Sequence, residues 1–291
     1  MRSLLFVPAH DARKLAKGLN SGADALIIDL EDAVPEAEKA GARGVCADFV
    51  RENRTKMRIF VRVNALGTGH TIADLDAVVR AQPYGIMLPK CANGQDVATL
   101  AGYLSEFEAR DGVPVGSLRI LPIVTESAAS LFGLHSYATH AGPRLCGLFW
   151  GGEDLAADIG ATANHGPDGR YTAPYQLART LTLLGATAAQ VPAIDAVFTN
   201  FRDPAGLRAE AAEALRDGYT AKVAIHPDQI GPINEVFTPS QADVAWAQRV
   251  IAAFEASPTA GAIALDGKML DRPHLRSAQR AIARAATTYN T

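Results

Sequence analysis

Along the chain, short apolar runs rich in Val, Ile, Leu and Phe alternate with polar clusters and with alanine-rich segments of helical period. The runs occupy residues 3–9, 25–31, 58–64, 85–90, 119–126, 145–154, 193–200 and 221–227. Most are nearly continuous in apolar residues, the pattern of a parallel strand covered on both faces, and the stretches between them are long enough for helical crossovers. Eight such β-α units over roughly 225 residues predict a (β/α)8 TIM barrel, a fold of about 250 residues. The barrel is expected over residues 1–256. Residues 257–291 begin with Ser257-Pro258, carry Gly261 and Gly267, and end in a predicted helix over 276–287, a C-terminal helical lid that the barrel itself does not need.

A doubly wound sheet would alternate in the same way, but it usually carries G-x-G-x-x-G after its first strand. Here that strand runs into Pro8-Ala9-His10-Asp11, and Gly67-Thr68-Gly69 lacks a third glycine. No P-loop and no H-E-x-x-H occurs. The 28 Lys+Arg against 31 Asp+Glu give a formal charge of −3, and no basic run appears, so no nucleic-acid partner is expected and the ligand is expected to be small. Cys46, Cys91 and Cys146 are scattered without a C-x-x-C, which argues against a disulfide framework or a thiolate zinc site and fits a cytoplasmic protein. No apolar run approaches the roughly 18–20 residues of a bilayer span, so no membrane association is expected.

In a barrel the chemistry gathers at the carboxyl ends of the strands. Those ends are unusually polar: Asp29-Leu30-Glu31-Asp32 after strand two, Arg62 and Asn64 in strand three, Pro89-Lys90, Thr125-Glu126, and Gly152-Glu153-Asp154. Carboxylates outnumber His and Cys there, which favours Mg²⁺ over zinc. Glu126 and Asp154 are the expected metal ligands, with Glu153 competing for the second place because strand neighbours face opposite sides. Arg62 suits a clamp on a substrate carboxylate, or a charge partner for Asp29, Glu31 and Asp32, and the two roles are compatible. His10 and His226 end strands and reach the mouth, as catalytic groups or as hydrogen-bonded strand-end residues. Nothing near Cys91 argues for a thiolate.

The segments Arg2-Ser3-Leu4-Leu5-Phe6-Val7-Pro8, Asp29-Leu30-Glu31-Asp32-Ala33-Val34 and Arg62-Val63-Asn64 occur in that order. They are followed by Leu88-Pro89-Lys90, Thr125-Glu126-Ser127-Ala128, Gly151-Gly152-Glu153-Asp154-Leu155, Ala193-Ile194-Asp195, Ala224-Ile225-His226-Pro227 and a stretch from Asp266-Gly267-Lys268-Met269 to Leu270-Asp271-Arg272-Pro273. In these the chain resembles the citrate lyase β-subunit-like family over nearly its whole length. The resemblance implies a TIM barrel assembled as a homotrimer or hexamer, binding Mg²⁺ and cleaving or forming a C–C bond in a hydroxyacyl-CoA such as citryl-, malyl-, β-methylmalyl- or citramalyl-CoA. Some members hydrolyse malyl-CoA instead, and a citrate lyase β subunit acts on carrier-bound acyl groups. By motif, Glu126 and Asp154 would hold the metal and Arg62 the acid end of the substrate. Asp271 would reach the neighbouring subunit's site as general acid/base; its alternative reading is a helix N-cap. Asp29, Glu31 and Asp32 would order metal-bound waters and Arg62. CoA's phosphates need cations near the mouth, which Arg13, Lys14 and Lys17 could supply, unless they simply form a solvated helix face.

Overall fold

The computed structural model describes residues 1–289. The parallel strands are β1 Ser3–Pro8, β2 Ala25–Asp29, β3 Arg58–Arg62, β4 Gly85–Leu88, β5 Arg119–Pro122, β6 Leu148–Phe149, β7 Ala193–Asp195 and β8 Ala221–Ala224. They pair in the order β5-β4-β3-β2-β1-β8-β7-β6. The two ends of that order meet through bridges Ile120–Leu145 and Ile123–Phe149, which close the ring. Around it run α1 Ala12–Leu19, α2 Lys39–Asn53, α3 Thr71–Val78, α4 Gly94–Asp111, α5 Ala128–Gly133, α6 Tyr137–His140, α7 Glu153–Ile159, α8 Ala173–Ala188, α9 Pro204–Asp217 and α10 Ile230–Phe237. The fold is the expected TIM barrel with C-terminal helices.

Alternation along the strands separates two apolar layers. Leu4, Ala25, Ile27, Phe60, Met87, Leu121, Phe149, Ile194, Ala221 and Val223 fill the barrel interior. Their neighbours, among them Leu5, Leu26, Ile28, Val61, Ile86 and Leu88, face the helices. Gly85 is required where β4 squeezes between its neighbours, because a Cβ there would stand 2.6 Å from the Arg119 carbonyl and 3.0 Å from the Phe60 ring.

Three strands stop at least four residues short of their apolar runs. The run over 145–154 yields only a two-residue β6, because the Gly151-Gly152 pair releases the chain into α7, with Gly152 at the cap. β5 ends at Pro122 and β7 at Asp195, so Glu126 and residues 196–200 lie in mouth loops.

After α11 Gln241–Glu255 comes an antiparallel hairpin, β9 Ala262–Leu265 and β10 Lys268–Asp271, that the periodicity did not reveal. Asp266 (φ 51°) and Gly267 (φ 73°) turn it in the left-handed geometry of a two-residue hairpin loop. Helix α12, Arg272–Tyr289, begins four residues before the expected start at 276, since Pro273 is tolerated in a first turn. Ala247, Val250, Phe254, Leu270 and Ala278 form a small core of their own there. Among the described residues, no helix is long and apolar enough to cross a membrane.

The β5/β6 seam depends on a buried ion pair. Ile120 N–H donates to the Arg144 carbonyl at 2.8 Å, and the Arg144 guanidinium grips Glu108 of α4 through Nη1 (2.8 Å) and Nη2 (2.5 Å). Glu108 also accepts the backbone N–H groups of Gly116 and Leu118. Burial alone would raise the Glu108 carboxyl, but Arg144 and these amides hold it below the usual carboxylate range. Removing the cation strands a buried carboxylate, so Arg144→Met should cost about 3–5 kcal/mol in urea unfolding at pH 7. Because the Glu108 pKa is depressed, the pair's contribution is present above the ordinary carboxylate range of about 4 and is lost as pH falls below it. The deficit of Arg144→Met relative to the parent should therefore shrink in acid.

Candidate active site

Asp29 ends β2 and Arg62 ends β3, and the parallel register sets them opposite each other. The result is a two-pronged pair, Nε to Oδ1 at 2.8 Å and Nη2 to Oδ2 at 2.6 Å. Asp29 also accepts the N–H groups of Glu31 (2.9 Å) and Ala33 (3.1 Å), so the same carboxylate shapes the loop after β2. Arg62 Nη1 lies 3.1 Å from Glu31 Oε2, and the guanidinium carbon sits 4.8 Å from the centre of the Phe6 ring. Asp29 takes two of the five guanidinium N–H groups. Arg62 is thus the charge partner of the acidic cluster, with N–H groups to spare.

Lys90 is held at both ends. Its backbone is left-handed (φ 51°), a conformation that strains a non-glycine residue by roughly 1–3 kcal/mol and aims its N–H at Glu126 Oε2. Its ammonium reaches Glu31 at 2.8 Å and Asp32 at 3.4 Å. Burial works against that charge, but the two carboxylates raise the pKa above the ordinary lysine range.

Glu126 is buried four residues beyond β5. The Thr125 hydroxyl donates to the Gly151 carbonyl and accepts the Gly151 N–H, both at 2.9 Å, which ties the Glu126 loop to the turn that starts α7. Glu153 and Asp154 occupy the first turn of α7 and not a strand, so the opposite-faces argument for choosing between them does not apply. The structure separates them by contact instead. Glu153 is exposed and accepts Asn164 Nδ2 at 3.0 Å, whereas Asp154 acts electrostatically on both Glu126 and Lys90.

A supporting network, invisible to strand-end reasoning, holds the β2 loop. Lys39 Nζ donates to the carbonyls of Leu30 and Glu31, both at 3.0 Å, and to Asn64 Oδ1 at 2.8 Å. Asn64 in turn donates to buried Asp74 at 2.7 Å. The signal that marks Asp74 is an acid spaced with Thr71, Leu75 and Val78 on the buried face of α3.

Other sequence candidates fall outside this cluster. Arg13, Lys14 and Lys17 are exposed on α1, whose N-terminus is capped by Asp11 on the mouth side. His10 is exposed after β1, and His226 after β8 stacks on Phe201. Burial pushes the Cys91 thiol up to about 12, so it is no nucleophile. Asp271 closes β10 and pairs with His274 at 2.6 Å; it hydrogen-bonds no residue of the mouth.

Five carboxylates, Asp29, Glu31, Asp32, Glu126 and Asp154, thus face Arg62 and Lys90. Burial, aided by the charges of Asp154 and Glu31 and opposed by the Lys90 N–H, pushes the Glu126 carboxyl up to about 8. Glu31 Oε2 is buried without a hydrogen bond. An all-oxygen site with surplus negative charge fits a hard divalent cation. Among the described residues, no three His, Cys, Asp or Glu converge into a full cage. Mg²⁺ takes one or two carboxylates and fills its sphere with water and substrate oxygen.

Residues 2–227 match the family model of HpcH/HpaI aldolase/citrate lyase. The chain belongs to this family. Within it, the protein is 34% identical to a (3S)-malyl-CoA thioesterase of Cereibacter sphaeroides, over 98% of this chain and 94% of that one. It is 32% identical to the mitochondrial citramalyl-CoA lyase of Rattus norvegicus, over 98% and 86%. The crystal structure of CitE from Mycobacterium tuberculosis in complex with magnesium, acetoacetate and coenzyme A superposes with a TM-score of 0.79 at 33% identity, covering 98% of both chains.

A carboxyl raised in the folded state stabilises the protein fully below its ordinary pKa of 4.5 and loses that contribution as pH climbs to the folded value of about 8. The metal-free protein should therefore show a melting temperature that declines between about pH 5 and pH 8 and then levels. Glu126→Gln should flatten that slope in thermal scans across the same buffers.

Proposed function

We propose that this family member is a Mg²⁺-dependent carbon-carbon lyase that cleaves or forms a short hydroxyacyl-CoA ester of malyl, citramalyl or citryl type. The observation that carries the reading is the buried Glu126 carboxylate beside Asp154 in a mouth with more negative than positive charge. The magnesium, acetoacetate and coenzyme A held by the CitE relative support it. Glu126 and Asp154 would be the protein's ligands to the ion. When bound, Mg²⁺ supplies the positive charge that favours loss of the β-hydroxyl proton.

In cleavage, the Cα–Cβ bond breaks, the β-oxygen becomes the carbonyl of a keto acid, and the electron pair passes to Cα of the thioester as an enolate. The spare N–H groups of Arg62 would bind the carboxylate of the acid fragment. Glu31 and Asp32 fix the Lys90 ammonium, and with Asp29 they hold the cationic side of the mouth in place. Asp271 of a second copy in a homotrimer or hexamer would take the β-hydroxyl proton and pass it to Cα, and in the condensation direction would take the α-proton and return it to the β-oxygen. The hydrogen bond from His274 holds the Asp271 carboxyl below the usual range, so it enters the reaction ionised. Arg13, Lys14 and Lys17 would meet the phosphates of CoA. The scattered, unpaired cysteines suit a cytoplasmic enzyme.

The thioesterase relative favours one rival: the same site would release free CoA and leave the acid whole. A panel of hydroxyacyl-CoA esters assayed with Mg²⁺ separates them, since a lyase yields keto acid without free thiol and a thioesterase the reverse. Inertness toward every free CoA ester would favour the carrier-bound alternative and refute both. In the lyase reading, Asp271→Asn should lower turnover by at least about 100-fold. It should still show the Mg²⁺-induced rise in melting temperature, whereas Glu126→Ala should lose both. An Asp271→Asn enzyme with normal turnover would remove Asp271 from the chemistry.

A further inference from the structure

Asp195 and Lys222 form a second pair of opposite charges, one that the chemistry above does not use. The parallel register of β7 and β8 sets them side by side. Ile194, Ala221 and Val223 fill the barrel interior, so Asp195 and Lys222 point the other way, toward the helices, and both are fully buried. Lys222 Nζ donates to Asp195 Oδ2 at 2.6 Å and to Glu210 Oε1 of α9 at 2.7 Å. A buried ion pair adds little stability over apolar side chains of similar volume, so packing alone does not account for these residues.

The other oxygen of Asp195 is spent on Trp150. Oδ1 accepts the indole N–H at 2.7 Å, with Arg179 Nε 3.4 Å from the same oxygen. Trp150 follows β6, is fully buried, and meets the Tyr171 ring edge-on with centroids 5.1 Å apart. The hydrogen bond and the ring contact together fix the indole plane. That plane is the floor under Gly152, where a Cβ would stand 3.3 Å from Trp150 Cζ3.

Trp150-Gly151-Gly152 is the turn on which both carboxylates assigned to the ion depend. Gly151 is bonded through its N–H and its carbonyl to Thr125, the neighbour of Glu126, and a Cβ on Gly151 would lie 3.6 Å from Glu126 Cγ. Gly152 caps α7, which carries Asp154 in its first turn. A tilt of the indole would therefore move the turn and change the separation of Glu126 and Asp154.

We propose that Asp195 is a positioning residue for the magnesium site: it anchors the Trp150 indole, and the indole sets the turn that holds Glu126 and Asp154 at the spacing the ion requires. Lys222 balances the charge of Asp195 and holds its second oxygen, which leaves the first aimed at the indole. This rests on the reading of Glu126 and Asp154 as the ligands of Mg²⁺.

The test titrates Mg²⁺ alone into the metal-free protein, read by calorimetry and by the rise in melting temperature. Trp150→Phe keeps a ring against Tyr171 and Gly152 but loses the N–H donor. It should weaken Mg²⁺ binding about 10–100-fold, the usual cost of losing a partner that orients a metal ligand. Asp195→Leu combined with Lys222→Met exchanges the ion pair for apolar side chains, and should keep the metal-free melting temperature near the parent's while showing the same loss of Mg²⁺ affinity. Adding Trp150→Phe to that double variant should cost nothing further, since both changes break one hydrogen bond. If the double variant fails to fold, Trp150→Phe decides alone. If either variant binds Mg²⁺ as tightly as the parent, or the two losses add, Asp195 does not position the site and the magnesium reading stands. If the parent itself takes up no Mg²⁺, the reading beneath the proposal has failed.

Discussion

Two neighbouring parallel strands end in opposite charges, and the Arg62–Asp29 fork that results is the contact around which the mouth is organised. One carboxylate neutralises the guanidinium, sets its plane against Phe6 and accepts the N–H groups that bend the following loop. That loop delivers Glu31 to the third nitrogen of the same guanidinium and to Lys90. Lys90, bent left-handed, carries the connection on to Glu126 through its amide. The chain of contacts thus crosses β2, β3, β4 and β5 through side chains at strand ends. Such a chain is possible only because the strands are parallel and in register, so that all their carboxyl ends open on one face.

The order of charge is equally deliberate. Arginine and lysine are placed against Asp29, Glu31 and Asp32, and neither makes a side-chain ion pair with Glu126 or Asp154. Glu126 and Asp154 thus keep unbalanced charge at the mouth, while Asp29, Glu31 and Asp32 are already balanced from within. A single site can in this way be rigid on one side and receptive on the other.

Much of this was legible in the sequence because strand ends are short, polar and recur once per unit. Arg62, Lys90 and Glu126 were found by asking what each apolar run ends with. The same question singled out Asp154, but the strand it was placed on is cut by the glycine pair Gly151-Gly152, which moves it to a helix start. The Lys39–Asn64–Asp74 network was not legible, because its members come from a helix, a strand end and another helix, and only the fold makes them neighbours. The hairpin β9–β10 had a sequence signal in Asp266-Gly267, but flanking strands of four residues are too short to show a period. Asp271 marks the limit of a single chain. Its local partner His274 is visible, and its assigned role lies across a subunit boundary.

The small apolar cluster of α11, β10 and α12 shares no residue with either layer of the barrel. A unit with a private core can be altered, lengthened or lost without disturbing the strand register beneath it. Within a family whose members differ in what they do to an acyl-CoA, that separation leaves the C-terminal hairpin and helix free to vary while the barrel stays the same.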